Sequence, residues 1–282
     1  MKHPSPPWLL ALALSACATP GALPVPGTVG TSSAPELNAE LLMSADSLAT
    51  RLGDSAVVVV HVGRDRSSYD AGHIPGARFL PLGSIVAERD GVPNELPGVA
   101  HLDSIFEGLG VSDSSHVVLY GDLGGLAAAR AFFTLEYLGH TRVALLDGGI
   151  EGWRSGGRPL IAAVPAPARG ILSSVPRPEI VASAAWVRER LTDPRVILID
   201  ARPPAEYSGA EAGSGVARPG HIPGAHNIFW RTALVSEARP HLRHPAALRA
   251  LYEAAGAATD KVVVAYCRTG VQASHAYFVS RY

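Results

Sequence analysis

Two successive α/β units, each a doubly wound parallel sheet flanked by helices, are what this sequence predicts, and three observations carry that prediction. Short apolar, mostly β-branched runs at Val57 to Val60, Val117 to Tyr120, Val143 to Leu146, Val196 to Ile199 and Val262 to Tyr266 are too short for helices. They suit strands buried on both faces. These runs alternate with stretches of helical apolar spacing, the pattern of parallel strands joined by crossover helices, with ligands at the carboxyl ends of the strands. The pattern also occurs twice. His-Ile-Pro-Gly-Ala stands at 73–77 and again at 221–225, and Val117 to Tyr137 aligns without gaps on Val262 to Tyr282. Two separate matches at nearly one offset mark a tandem duplication.

In the first unit (44–157), Ser44 is a helix N-cap for Ala45 to Leu52, and the strand from Val57 leads to His61-Val62-Gly63-Arg64. A loop carrying Tyr69 to Ala77 precedes an apolar run, Arg78 to Leu82. Leu102 to Leu109 reads as a helix ended by Gly110. The strand from Val117 is followed by a loop at Gly121 to Gly125, a helix from Leu126 to Leu138 closed by Gly139, the strand from Val143, and a helix from Ile150 to Ser155. A linker at 158–178 contains Pro159, Pro165, Pro167, Pro176 and Pro178, too many for a packed element. The second unit (179–282) opens with a helix from Trp186 to Leu191 and the strand from Val196, then Asp200-Ala201-Arg202, a Gly-rich insertion at Ser208 to Gly215, and the second His-Ile-Pro-Gly-Ala. After Tyr282 nothing corresponds to the last strand and helix of the first unit, so the second is expected to be truncated at its C-terminus, the sequence being a fragment.

Composition narrows the function. With 282 residues, 47% hydrophobic and 17% charged, a net charge of −1 and a pI near 6.8, the chain carries no basic footprint for nucleic acid. Its two cysteines, Cys17 and Cys267, and eleven scattered histidines show no metal-ligand spacing, so neither metal nor cofactor is expected. Residues 1–17 combine a short basic start, an apolar stretch from Trp8 to Leu14 and small residues before Cys17, the layout of a secretory signal peptide. Residues 18–43, rich at first in Ala, Thr, Pro, Gly and Ser, read as a flexible tether.

The chemistry concentrates in Cys267-Arg268-Thr269-Gly270-Val271-Gln272, between a buried strand and a helical segment with apolar spacing at Ala273, Ala276, Tyr277 and Val279. A cysteine there sits where backbone N–H groups converge and the helix dipole is positive, a setting that stabilises a thiolate anion. The plainer alternative is a buried structural cysteine. Cysteine-dependent phosphatases share such a cradle but follow the cysteine by five residues and an arginine; Ala273 stands there instead, without the clamp for a phosphoryl group.

The segment Cys267 to Ser274 resembles the active-site loop of the rhodanese family of sulfurtransferases, and the duplication resembles that family's tandem members. The resemblance covers nearly all of residues 44–282 and implies two rhodanese-like domains. Cys267 is then the nucleophile that accepts sulfane sulfur as a persulfide, its anion held by the N–H groups of 268–272. Asp122 falls opposite Cys267 in the gapless alignment, so the first domain is expected to be inactive and structural. The resemblance assigns Arg202 to the anionic donor, the alternative being a surface ion pair. Arg268 is basic, as in thiosulfate-using members, but Thr269 departs from their pattern and leaves mercaptopyruvate open as donor. Thr269, Gly270, Val271 and Gln272 complete the substrate-binding loop. His73 and His221 are assigned to turn geometry, with a contact from His73 to substrate as the minor alternative. The implied partners are a small-molecule sulfur donor and a thiol or cyanide acceptor, with a monomer expected. Leu14-Ser15-Ala16-Cys17 similarly resembles the lipobox of bacterial lipoproteins, which implies lipidation at Cys17 and a place in the cell envelope. A non-catalytic envelope binding protein with the same shell is the other class of function these residues allow.

Overall fold

Apolar strands buried on both faces need side chains packing above and below, and alternation along each strand supplies them. The computed structural model describes residues 37–282, with Leu37–Tyr282 packed as one unit. The expected signal peptide, Cys17 and the tether up to residue 36 lie outside the described residues. The first repeat comprises β1 (Leu42–Met43), α1 (Ala45–Ala49), β2 (Val57–Gly63), α2 (Ser67–Asp70), β3 (Arg78–Pro81), β4 (Ala87–Arg89), β5 (Val92–Glu95), α3 (Val99–Gly108), β6 (His116–Tyr120), α4 (Leu126–Tyr137), β7 (Val143–Leu146) and α5 (Gly149–Ser155). The second comprises α6 (Ala184–Glu189), β8 (Val196–Asp200), α7 (Pro204–Ser208), β9 (His226–Asn227), α8 (Pro245–Ala254), β10 (Val262–Tyr266) and α9 (Val271–Arg281).

The first sheet is parallel throughout, in the order β1-β7-β6-β2-β3. Val58, Val60, Val62, Val117 and Leu119 enter one apolar cluster, while Val59, Val118, Tyr120, Ala144 and Leu146 enter another on the opposite face. The second sheet is parallel in the order β10-β8-β9. Strand β10 corresponds to β6, which in the first sheet lies between β7 and β2; among the described residues β10 forms an edge, with Val262 half exposed.

The duplication extends to single hydrogen bonds. Ser44 and Ser183 each cap the opening helix of their repeat, accepting at 3.1 Å from the backbone N–H of Ser47 and Trp186. The hydroxyls of Tyr69 and Tyr207 donate to the carbonyls of Ala77 and Ala225, both at 2.8 Å. The hydroxyls of Tyr120 and Tyr266 accept from the N–H of Ile74 and Ile222 at 3.2 and 3.1 Å, a match that sets Gly121 rather than Asp122 opposite Cys267 and makes the first repeat's loop one residue longer than the gapless alignment has it.

Three elements depart from the expectation. Residues 39–43, assigned to the tether, form a turn and the edge strand β1, because Leu41 and Met43 find burial against the first repeat. The antiparallel hairpin β4–β5 turns at Asp90-Gly91, both with positive φ (52° and 76°), a pairing suited to a tight hairpin turn. Helix α8 was also unanticipated, though Pro245 stands in its first turn and Gly256, at φ 83°, follows its end. The proline-rich linker forms no helix before Pro178, as expected, but it is strapped to the first repeat. His73 and Ile161 exchange two backbone hydrogen bonds of 2.9 Å, and the Val175 N–H donates to the Leu138 carbonyl at 3.0 Å.

Helices α4 and α9, the aligned pair of the duplication, pack on one another and join the repeats. Phe132 meets Phe278 edge to face at 5.0 Å and Phe133 meets Tyr277 at 5.3 Å. Phe132 aligns with Tyr277 and Phe133 with Phe278, so each residue touches the counterpart of its neighbour. This is the reciprocal pattern of a two-fold contact, formed here within one chain. On the other side of this interface Asp147 accepts from the Leu242 N–H at 3.0 Å and faces Nδ1 of His241 at 3.0 Å.

Candidate active site

Strand β10 ends at Tyr266, and Cys267 begins the turn into α9. Gly270 reverses the chain at φ 80°, a conformation that disfavours any residue with a Cβ. The turn brings the backbone N–H of Gly270 to 3.1 Å from the Cys267 Sγ and that of Ala273 to 3.4 Å. Both donate to the sulfur, and the first turn of α9 adds its unpaired N–H groups and positive dipole end. Cys267 is a free thiol, half-buried beside Ala201, Trp230, Leu234 and Ala276, with Leu126 of the first repeat against the same cluster. Two backbone N–H donors thus converge on the sulfur of a residue that is only partly buried.

The remaining predicted residues divide. Val271 is buried at the start of α9, and Thr269 and Gln272 are half-buried around the turn. Arg268 turns outward, its Nη1 4.0 Å from Glu206 Oε2 beside the Gly-rich insertion. Arg202, assigned to the anionic donor, is held by a carboxylate of its own strand. Asp200, two residues earlier, takes its Nε at 2.9 and 3.1 Å and its Nη2 at 2.6 Å, and Nη2 also reaches the Gly220 carbonyl at 2.8 Å. With 6% of its surface exposed, it braces the 218–224 turn against the end of β8. His73, the minor candidate for a substrate contact, is held between two carbonyls of its own repeat and the linker. Fully buried, it stacks on Tyr69 at 3.8 Å with its ring nitrogens facing the carbonyls of Tyr69 and Ala163. His221 stacks the same way on Tyr207, so both histidines fix turns.

A residue of the first repeat enters this site unannounced. Arg130, on α4 and 4% exposed, donates from Nη2 to the Asn94 carbonyl of the β5 strand at 2.7 Å. Its Nη1 lies so close to the catalytic-type turn that a Cβ at Gly270 would come within 2.7 Å of it. No local motif marks Arg130. Its only sequence signal is the gapless alignment, which sets it opposite His275 on the helix that follows Cys267.

His275 is itself fully buried on α9, 5.2 Å from the Trp230 ring, and among the described residues its Nδ1 has no hydrogen-bond partner. Burial pushes its pKa down to about 4. The ring is therefore neutral in the native state, whereas the unfolded chain binds a proton from about pH 6.5 downward. Stability is full above that value and falls with pH down to about 4, by about 3 kcal/mol in all. Urea unfolding at pH 7 and at pH 4.5 should show this loss in the wild-type protein and most of it gone in His275→Leu.

The matching corner of the first repeat is built differently. Asp122 accepts from the Ser68 hydroxyl at 2.7 Å, and His61 Nε2 lies 3.3 Å from that hydroxyl and 4.0 Å from Asp122 Oδ1. Leu123, Gly124 and Gly125 all have positive φ there, against Gly270 alone in the second loop. That corner holds no sulfur and no comparable turn. One half of a duplicated fold thus keeps a cysteine in an N–H cradle, and a family model described as the rhodanese-like domain matches both halves, at residues 44–156 and 183–282. The chain belongs to the rhodanese family. It is 36% identical over 260 residues to the sulfur carrier protein TtuD of Thermus thermophilus, covering 86% of this chain and 87% of that protein. It is 33% identical over 241 residues to the thiosulfate sulfurtransferase of Pseudomonas aeruginosa, with 86% and 87% covered. Among solved structures, the rhodanese fold of SseA from Escherichia coli, a 3-mercaptopyruvate enzyme by its description, superposes with a TM-score of 0.76 at 27% identity, covering 86% of this chain and 93% of that one.

Proposed function

We propose that this rhodanese moves a sulfane sulfur from thiosulfate to a thiophilic acceptor, a thiol or cyanide, through a persulfide on Cys267. The observation that carries the reading is the pair of N–H donors on the Cys267 sulfur at 3.1 and 3.4 Å, in the one repeat that has a cysteine at this position. The Cys267 thiolate attacks the outer sulfur of thiosulfate; the S–S bond of the donor breaks and sulfite leaves with its electron pair. The terminal sulfur of the new persulfide carries the charge, and the cradle that held the thiolate holds it in turn. An acceptor nucleophile then takes the outer sulfur and returns the thiolate, so the kinetics are ping-pong. The Pseudomonas aeruginosa relative supports thiosulfate as donor, and the likeness to SseA keeps 3-mercaptopyruvate as the second donor to assay. The stretch Leu14-Ser15-Ala16-Cys17 supports a further proposal, that the protein is exported and lipid-anchored at Cys17.

Intact mass of the purified protein before and after thiosulfate tests the sulfur transfer. A gain of one sulfur on the peptide carrying Cys267, removed by cyanide with release of thiocyanate, is the expected result. A gain with mercaptopyruvate alone would reassign the donor. No gain from either donor in folded protein would leave a non-catalytic binding role.

A further inference from the structure

We propose that Arg130, contributed by the first repeat, binds the anionic end of the sulfur donor at Cys267 of the second; the assignment rests on the sulfurtransferase reading above. Arg130 is a charged group held in the interior without a carboxylate within ion-pair distance among the described residues. Keeping such a guanidinium desolvated costs stability unless something compensates it. Its Nε is buried and has no hydrogen-bond partner among the described residues, while Nη1 rests on Gly270, whose own N–H holds the Cys267 sulfur. Burial lowers its hold on its proton, and attraction toward Cys267 and Glu95 acts in the opposite direction. The other arginines near the turn are engaged elsewhere, Arg202 on Asp200 and Arg268 toward Glu206.

The Asn94 carbonyl and the Phe133 ring, 5.7 Å from the guanidinium carbon, fix the side chain's direction. Nε and Nη1 then remain for an acceptor. A donor whose leaving group is an oxyanion, as sulfite is when thiosulfate reacts, supplies acceptor oxygens and neutralises the charge where the S–S bond breaks. The first repeat, which has no cysteine at the matching turn, would thereby supply the cation of the second repeat's site.

The test compares alkylation of Cys267 by iodoacetate and by uncharged iodoacetamide in the full-length wild type, Arg130→Met, Arg130→Gln and Arg130→Lys, followed on the peptide carrying Cys267. Circular dichroism selects the folded variants. A cation at the sulfur favours the anionic reagent, so loss of Arg130 should lower the iodoacetate rate about tenfold and leave the iodoacetamide rate nearly unchanged, with Arg130→Lys in between. The kcat/KM for thiosulfate should fall about tenfold to a hundredfold in the same variants. In the wild type, sulfite should protect Cys267 from iodoacetate, an arm that needs no variant. Equal loss with both reagents would mean a distorted loop, and that outcome, or an unchanged ratio with no sulfite protection, would overturn the assignment. Wild-type protein that takes no sulfur from thiosulfate would instead remove the sulfurtransferase reading, while the reagent ratio would still decide whether Arg130 places its charge at the sulfur.

Discussion

Replacing Cys267 by Ser is expected to lower thiocyanate formation from thiosulfate and cyanide by at least about 10³-fold, with the fold unchanged. The substitution exchanges one atom, and the N–H groups of Gly270 and Ala273 that donate to the sulfur can donate to a hydroxyl oxygen. The half-buried site against Trp230 and Ala276 therefore loses little packing. Chemistry separates the two proteins. A serine hydroxyl stays protonated at neutral pH and is a poor nucleophile toward sulfur, so the intermediate does not form. Among the described residues Cys267 is the sole thiol, and no other side chain there can take its place as sulfur carrier. Initial rates measured beside urea unfolding curves would decide the matter. Equal unfolding midpoints with turnover lost would place Cys267 in the reaction. A Ser variant that still turned over would move the nucleophile elsewhere.

Periodicity made the sheets legible, because strands buried on both faces are spelled in Val, Ile and Leu and the duplication spelled them twice. The same duplication located the site, because only one repeat has a cysteine at the end of this strand, although the gapless alignment set Asp122 opposite Cys267 where the strands set Gly121. Short elements escaped. Strands β1 and β9 have two residues each, too few for any period, and β1 is held by its neighbour β7 rather than by its own pattern. The pairing of Arg202 with Asp200 has a local cause that the sequence displayed. An aspartate two residues before an arginine at the end of a strand points to the same face and takes its fork. Arg130 lay beyond local reading altogether, because its neighbours Asn94 and Gly270 come from a hairpin of its own repeat and from the loop of the other.

The α4–α9 contact carries the second large effect, and its symmetry says where. In the alignment that superposes the helices, Glu136 falls opposite Arg281, and these two residues pair with each other, Arg281 Nη2 lying 3.1 Å from Glu136 Oε1. A residue that meets its own counterpart sits on the two-fold axis, where identical charges would repel; the duplicated chain has opposite charges there. Glu136 is 2% exposed and also accepts from the Tyr277 hydroxyl at 2.7 Å, so both oxygens are engaged. Glu136→Arg would set a buried cation against the partly exposed Arg281 and leave Tyr277 without its acceptor, at a cost of about 3 kcal/mol, the low end of the range for breaking a buried pair. Arg281→Glu should cost less, since that side chain is 43% exposed and water can solvate the displaced charge. Combining the two restores opposite charges on the axis and should recover more than half of the loss from Glu136→Arg. Urea midpoints for the four proteins form a double-mutant cycle that reads the coupling directly. Additive losses would show that burial at Glu136, rather than charge pairing across the axis, is what holds the two repeats together.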